Sequence, residues 1–140
     1  MRLLVVGASL TGGYFACRLA QAARDITFLV RPARAEQLRA GGLRTKSPNG
    51  DARVAPKLVT AGGIRSTYDA VPQAVKAFSL EAALDDFAPA VGAGTVILPV
   101  LNEMRHMAVL TRRFGLAFVA GCTCKIAASV DGKARRRWDG

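Results

Sequence analysis

A short apolar run, Leu3 to Val6, stops at Gly7, and the segment Gly7-Ala8-Ser9-Leu10-Thr11-Gly12-Gly13 then opens into a helical stripe. A strand that ends in a glycine-rich turn and feeds a helix narrows the choice of fold more than any other feature of this chain. Buried parallel strands read as continuous apolar runs of this kind. A helix N-terminus offers free backbone N–H groups and the positive end of the helix dipole, which together suit a phosphate. In this setting Gly7 makes the tight turn and Gly12 lets helix and strand pack closely. Ser9 stands where the second glycine of a G-x-G-x-x-G loop is usual, so a side chain narrows the approach to the phosphates, although its hydroxyl can donate to them. The bland alternative is a glycine-rich turn without a ligand; the strand before and helix after favour binding.

The rest of the chain repeats the alternation. Gly13 to Ala23 reads as a helix with Phe15, Leu19 and Ala22 on one stripe, and Ile26 to Val30 as a strand. Pro32 starts a helix that Gly41-Gly42 ends. Leu43 to Lys46 and Asp51 to Val54 flank an Asn-Gly turn, which predicts a hairpin, and Lys57 to Thr60 suits an edge strand. Tyr68 to Val75 is expected as a core strand that Pro72-Gln73 disturbs, and Ser79 as the N-cap of a helix to about Phe87. Thr95 to Pro99 follows as a strand and Met104 to Phe114 as a helix. Phe118 to Ala120 and Ile126 to Val130 are the last strand candidates, and the apolar pattern stops after Gly132.

Alternating strands and helices predict an α/β chain: a Rossmann-type parallel sheet with helices on both faces. Ligands of such sheets sit beyond the carboxyl ends of the strands. The residues to watch are therefore Gly7, Ala8, Ser9, Leu10, Thr11 and Gly12, then Arg31, Lys76 and Asn102. Arg31 lies nineteen residues beyond Gly12, where an NAD-specific domain places an acid for the ribose hydroxyls. Here no acid occurs between Asp25 and Glu36, and Arg31 and Arg34 stand instead. Guanidinium forks match the additional 2′-phosphate of NADP. A pair of solvated arginines is the plain alternative.

Bulk properties exclude other classes. With 51% apolar residues the chain can bury a core. No apolar run reaches membrane-spanning length, and the N-terminus lacks a signal-peptide pattern, so a cytoplasmic address is expected. One histidine and three cysteines, Cys17, Cys122 and Cys124, supply neither a metal cluster nor a disulfide framework. The net charge of +10 invites a nucleic-acid reading. The 15 arginines are spread along the chain, however, with one dense cluster at Arg135-Arg136-Arg137, and aromatic residues do not interleave with them. A positive domain also suits a phosphate-rich small ligand, no specific nucleic acid is expected, and a solvated basic surface is the plain reading for most of these charges.

At this point a resemblance enters. Val5 to Phe15 resembles the opening of 2-dehydropantoate 2-reductases (ketopantoate reductases), which bind NADPH. The similarity continues through Thr27 to Pro32, Ala40 to Leu43, Ala74-Val75-Lys76-Ala77, Leu98 to Asn102 and Lys125 to Ala128. The resemblance implies a Rossmann domain followed by an all-helical domain, with the active site in the cleft between them. It implies that Arg31 meets the adenosine 2′-phosphate, that Lys76 lies near the nicotinamide end, and that Asn102 holds cofactor and substrate. The family's essential lysine and a substrate-binding carboxylate belong to the helical domain, which this chain does not reach. Residues 1–130 are thus expected as the NADP-binding domain, and 131–140 as a basic tail or a truncated lead into the absent helical domain. The implied reaction is reduction of a 2-keto acid, ketopantoate to pantoate, with a non-catalytic dinucleotide-binding module as the alternative. Self-association into a homo-oligomer is expected from the surface that the helical domain normally covers, or a second chain supplies that helical half. Four departures stand out: Ser9; Pro72-Gln73 where aliphatic strand residues are usual; Glu103 after Asn102; and the basic run at 134–138.

Overall fold

In the computed structural model, residues 1–7, 10–46, 50–75, 77–100, 104–120, 128–130 and 135–138 are described; the side chains of 10–12, 77, 78, 104, 128–130 and 135–138 are not. Five strands form one all-parallel sheet: β1 (Arg2–Val6), β2 (Asp25–Leu29), β5 (Lys57–Val59), β6 (Tyr68–Gln73) and β7 (Val91–Pro99), in the order β5-β2-β1-β6-β7. The chain builds outward from β1 through β2 to β5, then returns to the other side of β1. The order of strands therefore reverses between β1 and β6. Beyond β7, Val119 makes an isolated parallel bridge with Ile97, and the Ala120 amide donates to the Ile97 carbonyl at 3.0 Å.

The side-chain alternation of β1 explains why both faces carry helices. Leu3 and Val5 join a cluster with Ile26 and Phe28, Ala16 and Cys17 of α1 (Leu10–Gln21), and Ala35 and Leu38 of α2 (Pro32–Gly41). Leu4 and Val6 point the other way. They meet Leu80, Leu84 and Phe87 of α3 (Ala77–Phe87) and Leu110 of α4 (Met104–Phe114). The Rossmann-type arrangement with helices on both faces is as the sequence predicts. Among the described residues no helix is long and apolar enough to cross a membrane.

Several boundaries differ from the sequence reading. Helix α1 runs from Leu10 to Gln21 rather than from Gly13 to Ala23, so Gly12 lies inside it rather than before it. Its buried face is Gly13, Ala16 and Cys17, while Phe15 and Leu19 are half-buried and Ala22 is exposed. The reason is that α1 is covered on both sides. A second sheet lies against it, in the order β4 (Ala52–Val54), β3 (Leu43–Lys46), β9 (Arg135–Trp138), β8 (Ala128–Val130). Small residues are needed where two layers close on one helix. The hairpin of β3 and β4 is antiparallel as predicted, with Leu43 opposite Val54 and Thr45 opposite Ala52. The sequence reading gives residues 131–140 no element, yet Arg135–Trp138 pairs with β3 and β8.

Helix α2 begins as its sequence dictates. Arg31 is extended at φ −72° and ψ 154°, and Pro32 takes the first helical position, where its missing N–H costs nothing. The Gly42 amide closes the other end on the Leu38 carbonyl at 2.8 Å. Strand β6 retains both Pro72 and Gln73. Leu3 is opposite Ala70 and Val6 opposite Gln73, but no partners are paired between them. Pro72 sits in that gap, where it lacks the N–H that a ladder rung needs.

At the start of β2, Lys57 donates to Asp25 at 2.9 Å, joining the edge strand to its neighbour. The Lys57 hydrogen bond holds the Asp25 carboxyl below its ordinary value of 3.8, against a smaller opposing effect of burial. A carboxylate whose folded pKa is depressed stabilises the fold above its unfolded pKa, and that contribution is lost as pH falls through the folded value. Lys57→Met should therefore narrow the stability difference between pH 6 and pH 3, read from denaturant midpoints. The pair is exposed, so the change should be small.

Candidate functional site

The carboxyl ends of β1, β2 and β6 surround a cleft of about 380 Å³, within the range of small-ligand pockets. Its inner end is Val6, Gly7 and Val75, at the point where the strand order reverses. One rim is the start of α2, with Arg31, Pro32 and Arg34; the other is α3, with Ser79, Ala82, Ala83 and Asp86.

Gly7 is required by both conformation and space. Its φ is +90°, and a Cβ built on it would lie 2.8 Å from Val75 Cγ1. Its amide donates to the Leu29 carbonyl at 3.1 Å, which pins the turn to the end of β2. Backbone can approach a ligand closely here because no side chain intervenes. Leu10, Thr11 and Gly12 form the first turn of α1, immediately beyond this turn. Ala8 and Ser9 lie outside the described residues, as do Lys76, Asn102 and Glu103.

Arg31 is exposed on the rim, and Arg34, one turn along α2, is half-buried. Arg34 Nη1 donates to Gln37 Oε1 at 3.2 Å, and burial lowers its guanidinium pKa from the ordinary value. The rim is cationic at the end of β2, where the sequence places no acid. The structure also brings in residues that sequence reasoning missed. Ser79 is not an N-cap: α3 begins at Ala77, two residues earlier, and Ser79 faces the cleft. With Ala82, Ala83 and Asp86 it forms a stripe at i, i+3, i+4 and i+7 on one side of α3. The two alanines give a low wall that a flat ring can approach, and Asp86 provides a hydrogen-bond acceptor across from the arginines. The stripe was legible as a helix face, but its partner across the cleft was not.

Chemically, the arrangement sets Gly7, with its positive φ, shortly before a helix start and beside a two-arginine rim. Helix starts and guanidinium groups of this kind suit anionic ligands such as phosphates. The comparisons with known proteins agree with the architecture. In solved structures, 2-dehydropantoate 2-reductase from Geobacter metallireducens GS-15 superposes with a TM-score of 0.89 at 24% identity, over 99% of this chain and 46% of that one. D-mandelate dehydrogenase, in a structure with NADH and anilino(oxo)acetate, gives a TM-score of 0.88 at 19% identity over 100% of this chain and 46% of that one. In sequence, the uncharacterized oxidoreductase YkpB of Bacillus subtilis (strain 168) is 41% identical over 133 residues, 95% of this chain and 44% of its own length. A 2-dehydropantoate 2-reductase of Mesorhizobium japonicum is 36% identical over 104 residues, 73% of this chain and 32% of its own. The chain thus spans less than half the length of these curated relatives. The family model described as ketopantoate reductase PanE/ApbA matches residues 3–140, and the chain belongs to that family of oxidoreductases.

Proposed function

We propose that this chain supplies the cofactor-binding half of an NADPH-dependent reductase of a 2-keto acid, with ketopantoate as the substrate and pantoate as the product. The observation that carries the reading is the cleft itself: the Gly7 turn at the strand-order reversal opens onto a rim formed by Arg31 and Arg34. In this reading the amides from Gly7 through Gly12 hold the diphosphate, and Arg31 takes the adenosine 2′-phosphate. The bound dinucleotide supplies hydride to the substrate's carbonyl carbon. By the resemblance, Lys76 would serve the nicotinamide end and Asn102 would orient cofactor and substrate. A proton donor for the carbonyl oxygen is also needed, and by the resemblance it belongs to the helical half.

Titration with NADPH and NADH, followed by nucleotide fluorescence, tests this. NADPH should bind the more tightly. Arg31→Ala should weaken NADPH by about 10- to 100-fold, the size of a lost charge-assisted pair, and leave NADH nearly unchanged. Equal losses for both cofactors would remove the 2′-phosphate role. Incubated with NADPH and ketopantoate, the 140-residue chain alone should bind nucleotide without turnover; pantoate formation would show that the site needs no second half.

A further inference from the structure

Beneath the cleft lies a polar cluster that the nucleotide reading does not use. Gln73, the last residue of β6, and His106, in the first turn of α4, are both fully buried. Gln73 Nε2 donates to the Val75 carbonyl at 3.0 Å. His106 Nε2 lies 3.1 Å from the same oxygen. A carbonyl can only accept, so the hydrogen of this second bond must be on His106 Nε2. Both lone pairs of one carbonyl are then engaged by side chains from two different elements.

The place of that carbonyl gives the cluster its significance. Val75 walls the cleft and packs where a Cβ at Gly7 would be. The next residue in sequence is Lys76, and His106 follows Asn102 by four residues. A trans peptide is planar, so fixing a carbonyl also fixes the plane that leaves it. We infer that Gln73 and His106 are positioning residues: through the Val75 carbonyl they lock the end of β6 to the start of α4 and so hold the Val75 wall of the cleft in place against Gly7. The glutamine that departs from the aliphatic pattern expected of this strand thereby gains a role. An aliphatic side chain of similar size would fill the same space without a donor. Gln73 Oε1 has no hydrogen-bond partner among the described residues, so the amide is not there to satisfy itself.

The inference rests on the proposed nucleotide role only for its third test. His106 is the only histidine, so a long-range proton–nitrogen spectrum of the labelled full chain reports a single imidazole. Hydrogen on Nε2 is expected; a neutral ring protonated at Nδ1 alone overturns the lock. Second, His106→Leu should speed hydrogen exchange in the peptide that follows β6 by about tenfold beyond any change in β1 and β2, as for one lost buried bond. His106→Gln, which restores an amide donor, should recover most of that protection. Uniform acceleration throughout the chain, no acceleration, or no recovery would reduce the pair to ordinary core. Third, NADPH affinity should fall about tenfold in His106→Leu and return to within about threefold in His106→Gln. If the wild-type chain binds no NADPH, the cofactor reading fails while the imidazole and exchange measurements still decide the lock.

Discussion

Gly7→Ala is expected to lose both stability and nucleotide binding. A non-glycine residue at a φ of +90° carries strain of about 1–2 kcal/mol, because its Cβ crowds the following carbonyl. The new methyl would also sit 2.8 Å from Val75 Cγ1, and overpacking of that kind costs about 1–3 kcal/mol. Val75 belongs to the cleft wall and is held by Gln73 and His106, so it has little freedom to retreat. The sum, about 2–5 kcal/mol, is a large share of a small domain's stability. Urea denaturation should show the fall in midpoint. NADPH titration at low temperature, where the variant remains folded, should show affinity reduced by more than tenfold, since the turn can no longer approach a phosphate. A variant of wild-type stability would mean that the positive φ is not a feature of the folded chain.

Phe87→Ala should have a comparable effect on stability through a different cause. Phe87 is fully buried where α3 meets α4, and its ring stacks on Phe114 with centroids 5.4 Å apart. Deleting a buried aromatic ring costs about 3–5 kcal/mol, from lost burial and the cavity left behind. The loss lies in the core shared with Leu4, Val6 and Leu84, and Phe87 itself does not line the cleft. At a temperature where the variant is folded, NADPH affinity should stay within a few-fold of wild type. The two variants together separate a residue that shapes the cleft from one that supports the layer below it.

Much of the architecture was legible because local and periodic signals agreed. The apolar run Leu3 to Val6 and the Pro32 helix start each carry their own stereochemistry, and each produced its expected element; the strands flanking the Asn-Gly turn pair as expected, while Ser47 to Asn49 lie outside the described residues. The small-residue face of α1 was not legible, because it answers to a second sheet whose strands come from residues more than 80 positions apart. Strand β7 runs from Val91, well before the β-branched stretch at Thr95, through Gly92-Ala93-Gly94. Val91 pairs with Tyr68 and the ladder resumes at Val96 opposite Ala70, so these residues of low strand propensity fall in an irregular stretch of the strand. Pro72 and Gln73 show the converse: both argue against a central strand, and both are tolerated, one at the cost of ladder partners and the other by bonding to Val75. In the cleft, Gly7 and Arg31 followed from spacing along the chain, whereas Ser79 and Asp86 needed the fold to place α3 on the rim opposite the start of α2.

The zipper-like alternation along β1 has a consequence for energetics. Odd residues of this strand belong to one apolar layer and even residues to the other, so neither layer can melt while the other stays intact. A ligand that grips the tip of β1 therefore couples to the whole cooperative unit. Saturating nucleotide at 100 times its dissociation constant adds about 2.7 kcal/mol to the entire domain, as one sharper and hotter transition rather than as local stiffening of a loop.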